Sequence, residues 1–318
     1  MAADFQKISA HPIASNREAH TPNENIVNPS VRHVTCADCH NPHSASVSPP
    51  GGRAKLARNR RDVAGVNASG AVVPNVANEY ELCFRCHSDS RARGPAQITR
   101  QYQETNTRLQ FAATSSSFHP IETPGKNGNV PSLLVPWTTS STITCTDCHN
   151  SDQSPSTGGF GANGPHGSRW APLLERQLAF NDYYTESPAN EALCYKCHSR
   201  DSILGDQSFK ATNLQGQDRG HRFHIVDAEA ACTTCHDSHA SVYAPHLMNF
   251  NTMYVKPTSG GQPPQYVSTG ILSGNCTLSC HDQAGRQFDH LATPYGASAQ
   301  ARRMNLGRAP GKSPVKHK

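Results

Sequence analysis

Apolar residues are spread thinly along this chain, and where they gather the clusters are short. No run of 18 apolar residues occurs, so no stretch reads as a membrane-spanning helix. Helical signatures surface in a few places. Asn78 with Glu81 predicts a capping box that opens a short helix into Leu82-Cys83. Ser187 as N-cap, with Pro188 at the first helical position, predicts another leading into Leu193-Cys194. Residues 170–180 predict an amphipathic helix. Gly-, Pro-, Ser- and Thr-rich stretches at 46–53, 151–165 and 257–264 read as loops. A polar linker covers 88–117. Residues 301–318, with Arg302, Arg303, Arg308, Lys312, Lys316 and Lys318, form a basic tail that reads as solvated. The expected fold is mostly irregular coil with short α-helices and little β.

Six short stretches are written on one plan. Cys36-Ala-Asp-Cys39-His40, Cys83-Phe-Arg-Cys86-His87, Cys145-Thr-Asp-Cys148-His149, Cys194-Tyr-Lys-Cys197-His198 and Cys232-Thr-Thr-Cys235-His236 share a spacing. Cys276-Thr-Leu-Ser-Cys280-His281 carries one extra residue. C-x-x-C-H is an attachment site for a c-type haem: the thiols add to the vinyl groups and the histidine binds iron. On one helical turn, residues three and four apart share a face, so both thiols and the imidazole can meet one porphyrin. In the sixth motif the thiols are four apart and His281 falls at the fifth position, which requires a distorted turn. Paired C-x-x-C also makes zinc sites, but those have no use for the histidines. With 18 His in 318 residues, chance would set one after all six second cysteines on the order of 10⁻⁸ of the time.

The motifs consume all 12 cysteines, so thioethers rather than disulfides are expected. Hydrophobic residues make up only 35% of the chain, too few for an ordinary core. Six porphyrins change that picture, and the expected architecture is a chain wrapped around a row of six haems. The formal charge of +5 is offset by roughly −1 per ferric haem with its propionates, and no basic patch with interleaved aromatics supports nucleic-acid binding. The chain opens Met1-Ala2-Ala3-Asp4 without a secretory apolar segment. Such haems are attached outside the cytoplasmic membrane, so an exported periplasmic or extracellular protein is expected, its signal removed from this numbering.

The motifs fall in three pairs, with first cysteines 47 (36 to 83), 49 (145 to 194) and 44 (232 to 276) residues apart. The pairing predicts dihaem units at 1–110, 111–200 and 201–300, followed by the tail at 301–318. The proximal iron ligands are His40, His87, His149, His198, His236 and His281. Six further histidines sit at repeated places: His11, His119 and His224 upstream of each unit, and His43, His166 and His239 after each first motif. A histidine so close behind its own motif cannot swing over the same iron, so it should reach a neighbouring haem. His33 and His221 are the nearest substitutes, then His20, His246 and His290, with His317 in the tail. Met248 and Met253 are alternative axial donors.

The alternation of C-x-x-C-H-N-P-H with L-C-x-x-C-H over about 11–290 resembles the doubled-CxxCH multihaem c-type cytochromes of respiring bacteria and archaea. The resemblance implies little regular structure, bis-histidine haems in stacked pairs, and electron transfer in the periplasm or outside the cell, to other redox proteins or extracellular acceptors. Some members polymerise, and His11 would be the bridge to a neighbouring subunit in such a filament. A non-enzymatic electron carrier is the expected function. The rival is a reductase of a nitrogen or sulfur oxyanion, which needs one open haem site.

Overall fold

The computed structural model describes residues 2–13, 34–44, 62–89, 96–209, 219–281 and 287–290, with the backbone alone at 44, 281, 287 and 288. The first, second and fifth motifs lie on short α-helices: α1 (Cys36–Cys39), the end of α2 (Glu79–His87), and α5 (Cys232–Cys235). Between them come α3 (Thr107–Phe111) and α4 (Arg200–Leu204). Motifs three and four form single 3-10 turns over Cys145–Asp147 and Cys194–Lys196. Local chemistry sets these lengths. Glu81 accepts from the amides of Asn78 (2.9 Å) and Ala77 (2.6 Å), the predicted box at the start of α2. The same device recurs where Asp38 accepts from the amide of Thr35 (2.7 Å) and Asp147 from that of Thr144 (2.8 Å). The amides of His40, His149, His198 and His236 donate to the carbonyl of the first cysteine of their motif at 2.8–3.0 Å, closing one helical turn each.

Two helical expectations change. Across 170–180 the chain is not helical: Trp170 and Leu174 form an isolated antiparallel bridge, and Leu173 takes a left-handed φ of 59°. Ser187 does accept from the amide of Asn190 (3.3 Å), but it caps a turn that leads into the 3-10 turn rather than a helix.

The expectation of little β is overturned. Among the described residues there are ten strands, all antiparallel in their pairings. β1 (Ser9–Ala10) pairs with β5 (Gly167–Ser168), β2 (Gly65–Val66) with β3 (Val72–Val73), and β4 (Ser117–Phe118) with β6 (Ala240–Ser241). β7 (Val255–Lys256), β8 (Gln265–Gly270), β9 (Ser273–His281) and β10 (Gln287–His290) make a four-stranded sheet around β9. At nine residues, β9 is as long as the longest helix, and it carries the sixth motif, which was expected on a distorted helical turn. The short pairs escaped the sequence because two residues show no alternation, and their partners lie far along the chain.

Buried polar residues outnumber buried hydrophobic ones among the described residues. The hydrophobic residues divide into small clusters rather than one core. Val66, Phe84, Phe111, Phe118, Ile121 and Ala240 form one, with Cys145 against it. Ala244, Met248, Phe250, Val255 and Leu278 form a second, with Cys235, Cys276 and Cys280 packed on it. Val63, Val76 and Leu82 form a third beside Cys39. Each cluster ends on motif cysteines, where a porphyrin would add the missing apolar volume. β1 with β5, and β4 with β6, cross the boundaries expected between the dihaem units. His20, His33, His317, the loop at 46–53 and the basic tail lie outside the described residues. No helix of the described residues is long and apolar enough to cross a membrane.

Candidate haem centres

The structure sets histidines opposite one another. His40 faces His166 with ring centroids 6.0 Å apart, and His87 faces His11 at 6.2 Å. His149 faces His239 at 6.0 Å, His198 faces His119 at 6.4 Å, and His236 faces His221 at 6.2 Å. A sixth pair, His224 and His290, stands at 6.1 Å. A metal–imidazole bond is about 2 Å long, and the ring centre lies about 1.2 Å behind the nitrogen. Two imidazoles on opposite sides of one metal therefore have centroids roughly 6.4 Å apart, which the six separations match. The residues present fit the group.

The second nitrogen of most of these rings is engaged. Nδ1 of His11 donates to the Pro165 carbonyl (2.7 Å), that of His119 to the Ser238 carbonyl (2.6 Å), and that of His149 to the Pro172 carbonyl (3.1 Å). His224 Nδ1 donates to the Gly220 carbonyl (2.9 Å), and His236 Nδ1 to the His246 carbonyl (2.8 Å). His198 Nδ1 pairs with the Ser132 hydroxyl (2.9 Å), and His239 Nδ1 with Gln110 Oε1 (2.9 Å). A carbonyl can only accept, so those rings carry the proton on Nδ1 and leave Nε2 for a metal. Burial also favours the neutral form, the one that ligates, in several of these rings. It drives His198 and His236 down to about 4, and His221 and His239 down to about 3.

Neighbouring motifs touch in chain order. Arg85 of the second motif reaches the Asp38 carbonyl (3.4 Å) and carboxylate (3.5 Å) in the first. Glu79, opening the second motif's helix, accepts from the Thr146 amide (2.9 Å) of the third. Lys196 of the fourth donates to the Asp147 carbonyl of the third (2.5 Å) and pairs with buried Glu175. Cys194 and Cys232 lie, with Glu191, in a group whose ligand atoms are all within 4.8 Å of one another, joining motifs four and five. Cys235 packs on the same apolar cluster as Cys276 and Cys280, joining five and six. Burial raises the Cys148 thiol to about 12, and likewise Cys276 and Cys280.

His11, His119, His166 and His239, expected as distal ligands, each stand opposite a motif histidine. His166 and His239 face the first motif of the preceding unit. His224 stands opposite His290 instead, and His221 takes the place facing His236. His43 lies exposed in a turn over Pro42–Ser44, and the structure sets it opposite no motif histidine among the described residues. His246 contributes its carbonyl to His236 while its own ring meets Asn127 and Tyr266. Met248 is buried in the second cluster and Met253 is 64% exposed. Sequence reasoning underrated His221 and His290. The signal for His290 was its place after the only motif with an extra residue.

Residues 67–249 match the family model for outer membrane cytochrome MtrC/MtrF-like, domains II/IV. No curated protein and no solved structure matches the chain.

Proposed function

Because the chain belongs to the outer membrane cytochrome MtrC/MtrF-like family, whose members are multihaem c-type cytochromes that move electrons outside the cell, we propose that it binds six haem c groups and relays electrons along them in sequence order, outside the cell. The narrow range of histidine separations, 6.0–6.4 Å in all six pairs, carries this reading. Haem c, when bound, supplies a one-electron ferric/ferrous couple.

The residues divide the work. Cys36 and Cys39, Cys83 and Cys86, Cys145 and Cys148, Cys194 and Cys197, Cys232 and Cys235, and Cys276 and Cys280 tether one group each. His40 with His166, His87 with His11, His149 with His239, His198 with His119, and His236 with His221 close both axial positions of the first five irons, and His224 closes one position of the sixth. Two imidazoles leave no position for a substrate, so these centres exchange electrons only, and histidine ligation on both faces keeps their potentials low within the haem range. The Nδ1 hydrogen bonds fix most of the rings, which limits rearrangement when the charge at the centre changes. His11 lies opposite His87 of its own chain, so the proposal is a relay within one molecule, delivering to a redox partner or an extracellular acceptor.

Mass spectrometry of the denatured holoprotein should give six covalent haems, and low-temperature electron paramagnetic resonance of the oxidised protein should give low-spin signals alone. A high-spin ferric signal in the native protein would return the reductase reading.

A further inference from the structure

The distal rings of the first and second centres come from segments far apart in the sequence that lie against each other in the fold. His11 follows β1, and His166 precedes β5, the strand that β1 pairs with. The register sets Ala10 across from Gly167 and Ser9 across from Ser168. His11 Nδ1 donates to the Pro165 carbonyl, 2.7 Å away, and that carbonyl belongs to the peptide that links Pro165 to His166. The ring facing His87 is therefore one hydrogen bond and one peptide link from the residue facing His40. From the other end of the same segment, Phe5 sets its ring edgewise to that of His166, with 5.6 Å between centroids.

Two strand residues and a single 3-10 turn over Asp4–Gln6 are a slight backbone frame for the segment 4–11. Side chains supply the rest. Lys7 Nζ stands 2.8 Å from the Asp4 carboxylate, 2.8 Å from that of Asp152 and 3.4 Å from the Ser151 hydroxyl. Both carboxylates are buried, and Arg169 meets the other oxygen of Asp152 at 2.6 Å. A buried carboxylate is costly without a cation beside it. Here one ammonium serves two, one in the segment of His11 and one in the loop that leads to His166. Gly167 completes the fit. A Cβ there would lie 1.7 Å from the Asp4 carbonyl oxygen, so any larger residue would lift the segment away.

From this shared support we infer that Lys7, gripping Asp4 and Asp152, is a positioning residue for two irons at once: it seats the segment 4–11 so that His11 and His166 close the second and first centres as one unit. The inference rests on the six-haem reading above. A disturbance of the support reaches both of these irons and leaves the others alone. The rings of His119, His239 and His224 lean elsewhere, on the Ser238 carbonyl, Gln110 and the Gly220 carbonyl.

The test uses the full-length holoprotein, with haem number by mass, spin state by paramagnetic resonance and potentials by spectroelectrochemical titration. His166→Met and His11→Met, each giving one His–Met centre of raised potential, mark the first and second centres. Lys7→Met removes the ammonium and keeps most of the stem. It should retain six haems, shift or abolish the low-spin signals of both marked centres, and leave the other four as they were. Gly167→Ala changes no charge, so its effect on potential comes from the rings alone. Both marked potentials should rise together, because imidazoles held less firmly stabilise ferric iron less. Any other pattern in either variant (one centre alone, neither, or all six) would overturn the assignment. Fewer than six haems, or a high-spin centre, in the unmutated protein would instead sink the six-haem reading, so the two failures are separable.

Discussion

Glu191 shows how much one side chain can weigh in a protein with so thin an apolar interior. It is fully buried, accepts from the Cys232 amide (3.2 Å) and the Tyr184 hydroxyl, and keeps Oε2 without a hydrogen-bond partner. Burial pushes its carboxyl above the ordinary carboxylate range, and those hydrogen bonds offset only part of the rise. It lies beside Cys194 and Cys232, the tethers of the fourth and fifth centres. Below its raised pKa the acid is neutral; above it a negative charge sits next to both centres and favours their ferric forms. Their potentials should therefore fall as pH rises through that value. At an effective dielectric of about 20 and roughly 10 Å, one charge is worth on the order of 1–2 kcal/mol, or some tens of millivolts for one electron. In Glu191→Gln the pH dependence of two of the six potentials should flatten, measured by spectroelectrochemical titration. Six unchanged pH profiles would show that the carboxyl does not ionise in the working range.

Among elements, the paired motifs of the first two units are held by a basic residue in the second of the pair reaching the first. Arg85 does this in the first unit and Lys196 in the second, each at the position before the second cysteine. In the third unit that position is Ser279, and Arg100 from the linker reaches the fifth motif instead, donating to the carbonyls of Thr233 (2.6 Å) and Asn249 (2.8 Å). Lys196→Ala leaves fully buried Glu175 without its Lys196 ammonium, a loss of about 3 kcal/mol by analogy with broken buried pairs. The holoprotein's Tm should drop, and Glu175→Gln in the same chain should recover part of it. A Tm equal to wild type would mean that Arg176, 3.8 Å from Glu175, suffices. The capping boxes at Asn78, Thr35 and Thr144 join residues three positions apart, and the one at Asn78 is legible in the sequence, whereas Arg85 and Lys196 reach partners in another motif that nothing nearby in the chain announces. The two-residue strands are set by which distant segments meet, and no local pattern announces them. β9 lies between these cases. Cys276, Leu278 and Cys280 do alternate with Thr277 and Ser279, but cysteines four apart also share a face of a helical turn. Likewise the motif histidines are legible from spacing alone, whereas choosing between His221 and His224 requires knowing that His221 faces His236 and His224 faces His290.

For the whole molecule, the proposed relay follows the contacts that join consecutive motifs among the described residues, which makes a single path through the third centre its simplest form. Histidine pairs cross the unit boundaries at the first and third centres, since His166 of the second unit faces His40 of the first and His239 of the third faces His149 of the second. On the proposed reading, ligation across the units would tie the fold to the relay, since pulling the units apart would open the irons. The path makes a prediction about traffic. Replacing an axial histidine by methionine keeps an iron closed but raises its potential. His239→Met should turn the third centre into a sink midway along the row. Leaving it becomes uphill, by a factor of ten for every 60 mV or so. In an equilibrium titration one centre of six should then reduce first, with the other five nearly unmoved. In a kinetic experiment, with an electron injected at one end and collected at the other, the end-to-end rate should fall by the factor that the measured shift dictates. If the potential of the third centre rises and the end-to-end rate holds, electrons have a route around it, and the six centres are not a single file.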